Sequence, residues 1–397
     1  MSRRVSPELA LGFACCRWPR SDTGDAAVRA AAGGAIDWER FAGIVARNRI
    51  SALVKDALDR AGVEAPAAVA AQLSQGQSNA AFTSLALARE SIRLQRAFDE
   101  AGLPALIVKG APMAMLAYGD LGRKESWDID LATDPVSVPA ARRLLEDLGY
   151  RLSEPARLDE EQFARWIPHA KEAGFHHSAT RITMELHWRL VDNERLLAGV
   201  GPHSETQQVS LGAGAVRTLA DAPLFAYLCV HGAAHNWGRL KWLADVGAFL
   251  GKRPAEEVER LYRAACGYGA ERPAAVALLL CHHLLGLQLS RDLQAALGGD
   301  RVVAALADSA LAGLEYGDAR GEHRAYTPVW LRTRIGYFFL GRGAGHWARE
   351  LRNLWTAPVD RTHLALPQKL AFLYHVVRIP SWLLRIGARL ARKARTR

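Results

Sequence analysis

The stretch "SWDIDLATD", Ser126–Asp134, decides how this chain is read. Its alternation describes a β-strand with Asp128 and Asp130 on one face and Ile129 and Leu131 on the other. Aspartate is depleted in strands, and side chains at i and i+2 lie only about 7 Å apart. Two anions held that way repel each other unless a cation or solvent intervenes. An isolated Asp-x-Asp also occurs on solvated edge strands, so the flanking sequence has to choose between the two readings.

Upstream, "PALIVKG" (104–110) is a short apolar run ending in glycine, hence a buried strand. "APMAMLAYG" (111–119) follows as a helix with Pro112 in its first turn, where proline is tolerated. A strand–Gly110–helix turn lets a ligand approach the backbone closely and offers free N–H groups to an anion. Lys109 and Ala111 flank that glycine, and Arg123 and Lys124 stand shortly before the aspartates. Downstream, Ser137 opens a helix over "VPAARRLLEDLGY", "YRLSE" reads as a further strand, and "GFHHSAT" and "RITMELHWRL" read as two more joined near Thr180. In the last, Ile182, Met184, Leu186 and Trp188 share one face, and Thr183, Glu185, His187 and Arg189 the other. If the two acidic strands are neighbours, Glu185 joins Asp128 and Asp130 in an oxygen cage for a hard divalent ion. Mg²⁺ suits it, because it keeps waters and completes its shell with substrate phosphates; two such ions can serve an attacking oxygen and a leaving pyrophosphate.

Around this unit the period is helical. "FAGIVARNRISALVKDALDRAG" and "LALARESIRLQRAFDEAG" carry three-and-four spacing and stop at Gly62 and Gly102. From Asp221, "APLFAYLCVHGAAHNWGRLKWLADVGAFL" reads as one long apolar helix, "AAVALLLCHHLLGLQL" as a buried one, and "LPQKLAFLYHVVRIPSWLLRIGARLARK" closes the chain. Gly313–Thr327 is the most loop-like stretch. The expected fold class is therefore α+β. A small mixed β-sheet core (101–218) is flanked by an N-terminal helical region (1–100) and a C-terminal helical region with a basic tail (219–397).

Composition bounds the rest. Half of the 397 residues are hydrophobic, ample for a sizeable core. Five cysteines with no CxxC spacing read as buried apolar residues of a reducing compartment, not a disulfide frame or zinc site. The N-terminus resembles a signal peptide only weakly, since Glu8 interrupts its apolar patch, and it reads as a cytoplasmic helix. Net charge is +10, but the last twenty residues hold seven Lys/Arg and no acid; without them 44 basic face 41 acidic residues. Trp382, Leu383, Ile386 and Leu390 form an apolar stripe in that tail, a candidate for peripheral membrane contact or for packing on the body. No basic groove interleaved with aromatics is evident, which argues against a nucleic-acid partner.

In "HGAAHNWGRLKWLADV", His231 and His235 stand four apart, but Gly232 occupies the place a metalloprotease needs for glutamate. Here His235, Arg239 and Lys241 are candidates for touching a substrate, and Trp237 and Trp242 for stacking or for core packing. His169, Lys171, His176 and His177 lie near in sequence without an evident chemistry.

Taken together, Lys109-Gly110, the basic residue before Asp128-Ile129-Asp130-Leu131, Glu185-Leu186-His187-Trp188 and the His–Trp-x-Arg-Leu-x-Trp segment resemble the DNA polymerase beta-like nucleotidyltransferases. More narrowly they resemble their bacterial uncharacterised nucleotidyltransferase family. The resemblance implies a Mg²⁺-dependent transfer of a nucleoside monophosphate from an NTP, ATP in the first instance, to an unknown hydroxyl. Asp128, Asp130 and Glu185 would hold two metal ions, and Glu185 would take the acceptor's proton. Lys109, Gly110, Ala111, Arg123, Lys124, His187, His235 and Arg239 would contact the nucleotide. Three residues depart from the pattern: Ala111 where serine or glycine follows Gly110, Glu185 where aspartate is usual, and Trp127 where a small residue is common. These departures leave a catalytically weakened nucleotide- or partner-binding module as the alternative.

Overall fold

The computed structural model describes residues 5–316, 328–355 and 373. The chain begins with helices α1 (Pro7–Cys15), α2 (Asp22–Ala32), α3 (Trp38–Asn48), α4 (Ser51–Ala61) and α5 (Ala67–Glu100). The central unit holds β1 (Leu106–Ile107), α6 (Ala111–Tyr118), β2 (Asp128–Ala132), α7 (Val138–Asp147), β3 (Tyr150–Glu154), α8 (Glu160–Trp166), β4 (Glu172–His177), β5 (Ile182–His187), β6 (Thr206–Ser210) and β7 (Ala215–Leu219). The helices α9 (Asp221–Ala234), α10 (Leu240–Gly251), α11 (Ala255–Gly267), α12 (Glu271–Leu280), α13 (Arg291–Gly299), α14 (Arg301–Tyr316), α15 (Pro328–Leu340) and α16 (Ala344–Trp355) follow. The class is α+β, as the periodicity predicts.

Five strands form a mixed sheet in the order β1-β2-β5-β4-β3; β2 and β5 run parallel and the other neighbours antiparallel. The alternation in β2 and β5 does what period-two patterning requires. Ile129, Leu131, Met184 and Leu186, with Ala173 and Phe175 of β4, are buried in one core against Leu94 and Phe98 of α5 and Val138, Ala141 and Leu145 of α7. The opposite face is left for the charged side chains. A second, larger core is shared by the helices that precede the sheet in the chain and those that follow it. The ribbon β6–β7 has no counterpart in the sequence reading.

Two helical runs are broken where the sequence pattern is continuous. The run from Phe41 to Gly62 is split at Arg49, which turns into the left-handed region (φ 55°). Its neighbour Asn48 is buried and accepts a hydrogen bond from Leu240 N at 2.7 Å, tying this corner to the start of α10. The expected long helix from Ala222 to Leu250 is likewise two helices. Asn236 (φ 48°) and Trp237 (φ 51°) reverse the chain, so Trp237 folds back, fully buried, over Gly232. A methyl group on Gly232 would meet the Trp237 ring at 2.3 Å, so only glycine fits there. Trp237 is thus core, not a stacking surface.

Gly313–Tyr316, expected as loop, is the last turn of α14, and the remainder of that stretch lies outside the described residues. So do the basic tail and its apolar stripe. Among the described residues no helix is long and apolar enough to cross a membrane, and all five cysteines are free, four of them buried.

Candidate functional site

The parallel register of β2 and β5 builds the centre of the site. Asp130 stands opposite Glu185, Ala132 opposite His187 and Asp128 opposite Thr183. Because parallel neighbours at one level face the same side, Asp128, Asp130, Glu185 and His187 share the uncovered face. Strand β4 then sets Glu172 opposite His187 and Gly174, which has no side chain, opposite Glu185.

His187 is buried in the middle. Its Nε2 lies 3.2 Å from Asp130 Oδ1 and 3.3 Å from Glu185 Oε2, and its Nδ1 lies 3.0 Å from Glu172 Oε2. Burial alone would lower its pKa. Hydrogen bonds to Asp130, Glu172 and Glu185 outweigh burial and raise it to about 10, so the imidazolium holds the carboxylates together. Lys109 Nζ lies 2.7 Å from the same Asp130 Oδ1. Burial favours the neutral forms of both, but their mutual attraction wins: Lys109 rises well above its ordinary range and Asp130, also bonded to His187, falls well below the usual carboxylate range. Glu172 is depressed in the same way by His187 and Lys171, against burial.

Asp128 behaves oppositely. Burial and then the neighbouring Asp130 push its carboxyl up, and Lys109 only partly offsets them. Among the described residues, one ligand atom each of Asp130, Glu185 and His187 lie within 4.8 Å of one another. Asp128 sits one pleat away along β2. The donor set nevertheless fits a hard divalent ion, with oxygen atoms from Asp130 and Glu185 and His187 behind them.

Gly110 precedes α6 with φ 73° and ψ −125°, a conformation open to glycine alone, and a Cβ there would lie 3.8 Å from Asp128 O. Gly110, at the helix start, lines one cavity together with Asp128, Asp130 and Glu185. Cluster and turn open into a cavity of about 560 Å³.

Of the expected contact residues, Lys109, Gly110, Lys124, His187, His235 and Arg239 line this cavity. Ala111 is buried behind the turn. Arg123, expected beside a nucleotide, instead pairs with Asp56 at 2.8 Å and Asp120 at 3.2 Å, because the short turn after α6 aims it at α4. His169 and Lys171 line the cavity, whereas His177 packs edge-on against Tyr150 and His176 approaches Thr183. Trp242 and His235 stack at 4.8 Å on one wall, and His231 is held neutral chiefly by burial and by Lys109. Lys241, whose Nζ donates to Glu125 O at 3.1 Å, is lowered to about 7 by burial and by Lys124 and Arg49.

Glu172 and Tyr227 escaped the sequence reading. Extending the Gly174 strand two residues back would have put Glu172 on the active face; Tyr227 sits in an apolar helix and carries no local signal. The far wall, with Tyr337, Glu350 and Leu354, comes from α15 and α16.

No curated protein and no solved structure matches the chain. A family model does, over well more than half of its length and with every member of the carboxylate cluster inside the match. Through residues 34–286 the chain belongs to the uncharacterised nucleotidyltransferase family.

Proposed function

We propose that this protein is a metal-dependent nucleotidyltransferase that moves a nucleoside monophosphate from an NTP, with ATP as the first candidate, to a hydroxyl of a small molecule, peptide or protein. The observation that carries the reading is the in-register placement of Asp130 and Glu185 on parallel strands, beside the Gly110 turn. Asp130 and Glu185 would hold one divalent ion, with Asp128 and Asp130 available to a second. When bound, such ions supply charge shielding for the triphosphate and the leaving pyrophosphate.

The chain's own groups do the rest. Lys109, Lys124, Lys241 and Arg239 set positive charge around a polyphosphate, and the N–H groups at the start of α6 meet its oxygens. Glu185, half-exposed to the cavity, accepts the acceptor hydroxyl's proton. The freed oxygen bonds to the α-phosphorus as the bond to the β-phosphate oxygen breaks, and pyrophosphate leaves with that electron pair. His187, braced by Glu172, keeps Asp130 and Glu185 at a fixed spacing. The wall from α15 and α16 lies beyond the matched residues and is the natural acceptor side.

One observation favours a second reading. Lys109 already neutralises Asp130, which suits a module that binds nucleotide without chemistry. Labelled ATP separates the two. With Mg²⁺ and an extract of hydroxyl compounds, label from the α-phosphate but not the γ-phosphate is expected to move to an acceptor, and EDTA or Asp130→Ala to stop it. Tight ATP binding without transfer in any extract would support the module. Transfer indifferent to Asp130→Ala would remove the chemistry from this site.

Lys241 adds a pH signature. Its folded pKa of about 7 lies below the ordinary 10.5, so it is mostly neutral at about pH 8. A bound polyphosphate draws the proton back. Triphosphate binding is therefore expected to take up protons and to weaken as pH rises from 7 toward 10.5. Calorimetry in buffers of different ionisation heat reads the uptake, and Lys241→Met is expected to abolish it.

A further inference from the structure

Among the described residues, the tryptophans and tyrosines that line the cavity are Trp127, Tyr227, Trp242 and Tyr337. Three are committed. Tyr227 is buried, Tyr337 donates its hydroxyl to Ala234 O at 2.5 Å, and Trp242 has the His235 ring against one side and Arg239 over it at 5.9 Å. Trp127 differs from them, being 63 % exposed, the state in which an indole leaves the most apolar surface in water.

It is not loose, however. The Arg49 guanidinium lies 3.5 Å from its ring centroid, and Arg49 reaches that place from the left-handed turn that breaks α3 from α4. The two form a braced plate, with a cation on one face of the indole. The plate stands one residue before Asp128 and lines the same cavity as Lys124 and Lys241. A triphosphate held by those cations would share the cavity with the plate, which offers its base a stacking surface. No base-edge partner is needed, since any base has a π-face.

We propose that Trp127, backed by Arg49, is the stacking platform for the donor's nucleobase. The inference rests on the site being a triphosphate site, and it adds that base selection is made by stacking area. Purine triphosphates are then bound more tightly than pyrimidine ones, with little discrimination between ATP and GTP.

Calorimetry on the full chain with Mg²⁺ tests this, using ATP, GTP, CTP, UTP and inorganic tripolyphosphate as probes. Trp127→Ala is expected to weaken ATP and GTP about ten- to a hundredfold, the range seen when a stacking aromatic is removed, and to leave tripolyphosphate within about twofold. Trp127→Phe is expected to retain most of the ATP affinity. Because Trp127 is exposed, both variants are expected to unfold at the wild-type urea midpoint. If wild type binds ATP and tripolyphosphate but Trp127→Ala weakens neither, or weakens both equally, the platform is wrong and the triphosphate site stands. If wild type binds ATP no better than tripolyphosphate, base stacking is likewise excluded. If it binds neither, the triphosphate reading itself fails and the platform with it.

Discussion

Asp128→Asn is expected to lower nucleotidyl transfer about a thousandfold and, in the metal-free protein, to raise the thermal midpoint. Losing a carboxylate that shares a metal removes several kcal/mol of charge stabilisation from the transition state, and each 1.36 kcal/mol is a factor of ten. The stability gain follows from the same charge. Burial, then Asp130, raise the Asp128 carboxyl above its ordinary 3.8. A group raised in this way keeps its proton longer in the folded state than in the unfolded one. Its ionised form therefore costs stability as pH climbs past 3.8, and the full cost is reached once pH has passed the raised folded value. Asparagine has the same shape without the charge. Scanning fluorimetry with and without Mg²⁺ provides the check. Wild type is expected to gain stability with Mg²⁺, while Asp128→Asn starts higher and gains less. A lower midpoint for the metal-free variant would mean that the Asp128 anion is stabilised where it stands, and full transfer would remove it from the metal site.

Lys124→Met is expected to cost about 3–5 kcal/mol of folding stability, the price of leaving one member of a buried ion pair alone. Lys124 and Asp245 are 7 % and 4 % exposed, and Lys124 Nζ is bonded to Asp245 Oδ2. Tyr118 donates its hydroxyl to the other oxygen at 3.1 Å, and no single neutral donor replaces the lysine's charge. Typical domains hold only about 5–15 kcal/mol in total, so the loss is a large share. The variant Lys124→Met/Asp245→Leu/Tyr118→Phe is expected to recover most of it, because apolar side chains of similar volume avoid the desolvation of both charges and leave no hydroxyl without its acceptor. Urea unfolding of the two variants gives the comparison. A single variant that loses less than about 1 kcal/mol would show the pair to be solvated. Lys124 thus joins α10 to the turn before β2, in addition to facing the cavity.

Much of the site was legible because strand periodicity is local. Asp128 and Asp130 had to share a face, and so did Glu185 and His187, whatever else the chain did. Glycine before a helix marked the Gly110 turn for the same reason. Arg123 and Lys124 could not be told apart, because adjacent residues in a short turn point in different directions only once the turn is packed.

What the amino-acid sequence determined alone, then, was which side chains of β2 and β5 share a face and that the class is α+β. Those properties belong to the backbone period of one segment. The tertiary structure decided which segments are neighbours: Asp130 level with Glu185, Glu172 behind His187, Lys109 on Asp130, Lys124 on Asp245, Arg49 over Trp127. It also broke the helix at Trp237, since a buried indole over Gly232 outweighs continuous helical periodicity. Charges far apart in the chain have no local signature of pairing. Only packing of the apolar faces of sheet and helices brings them to one place.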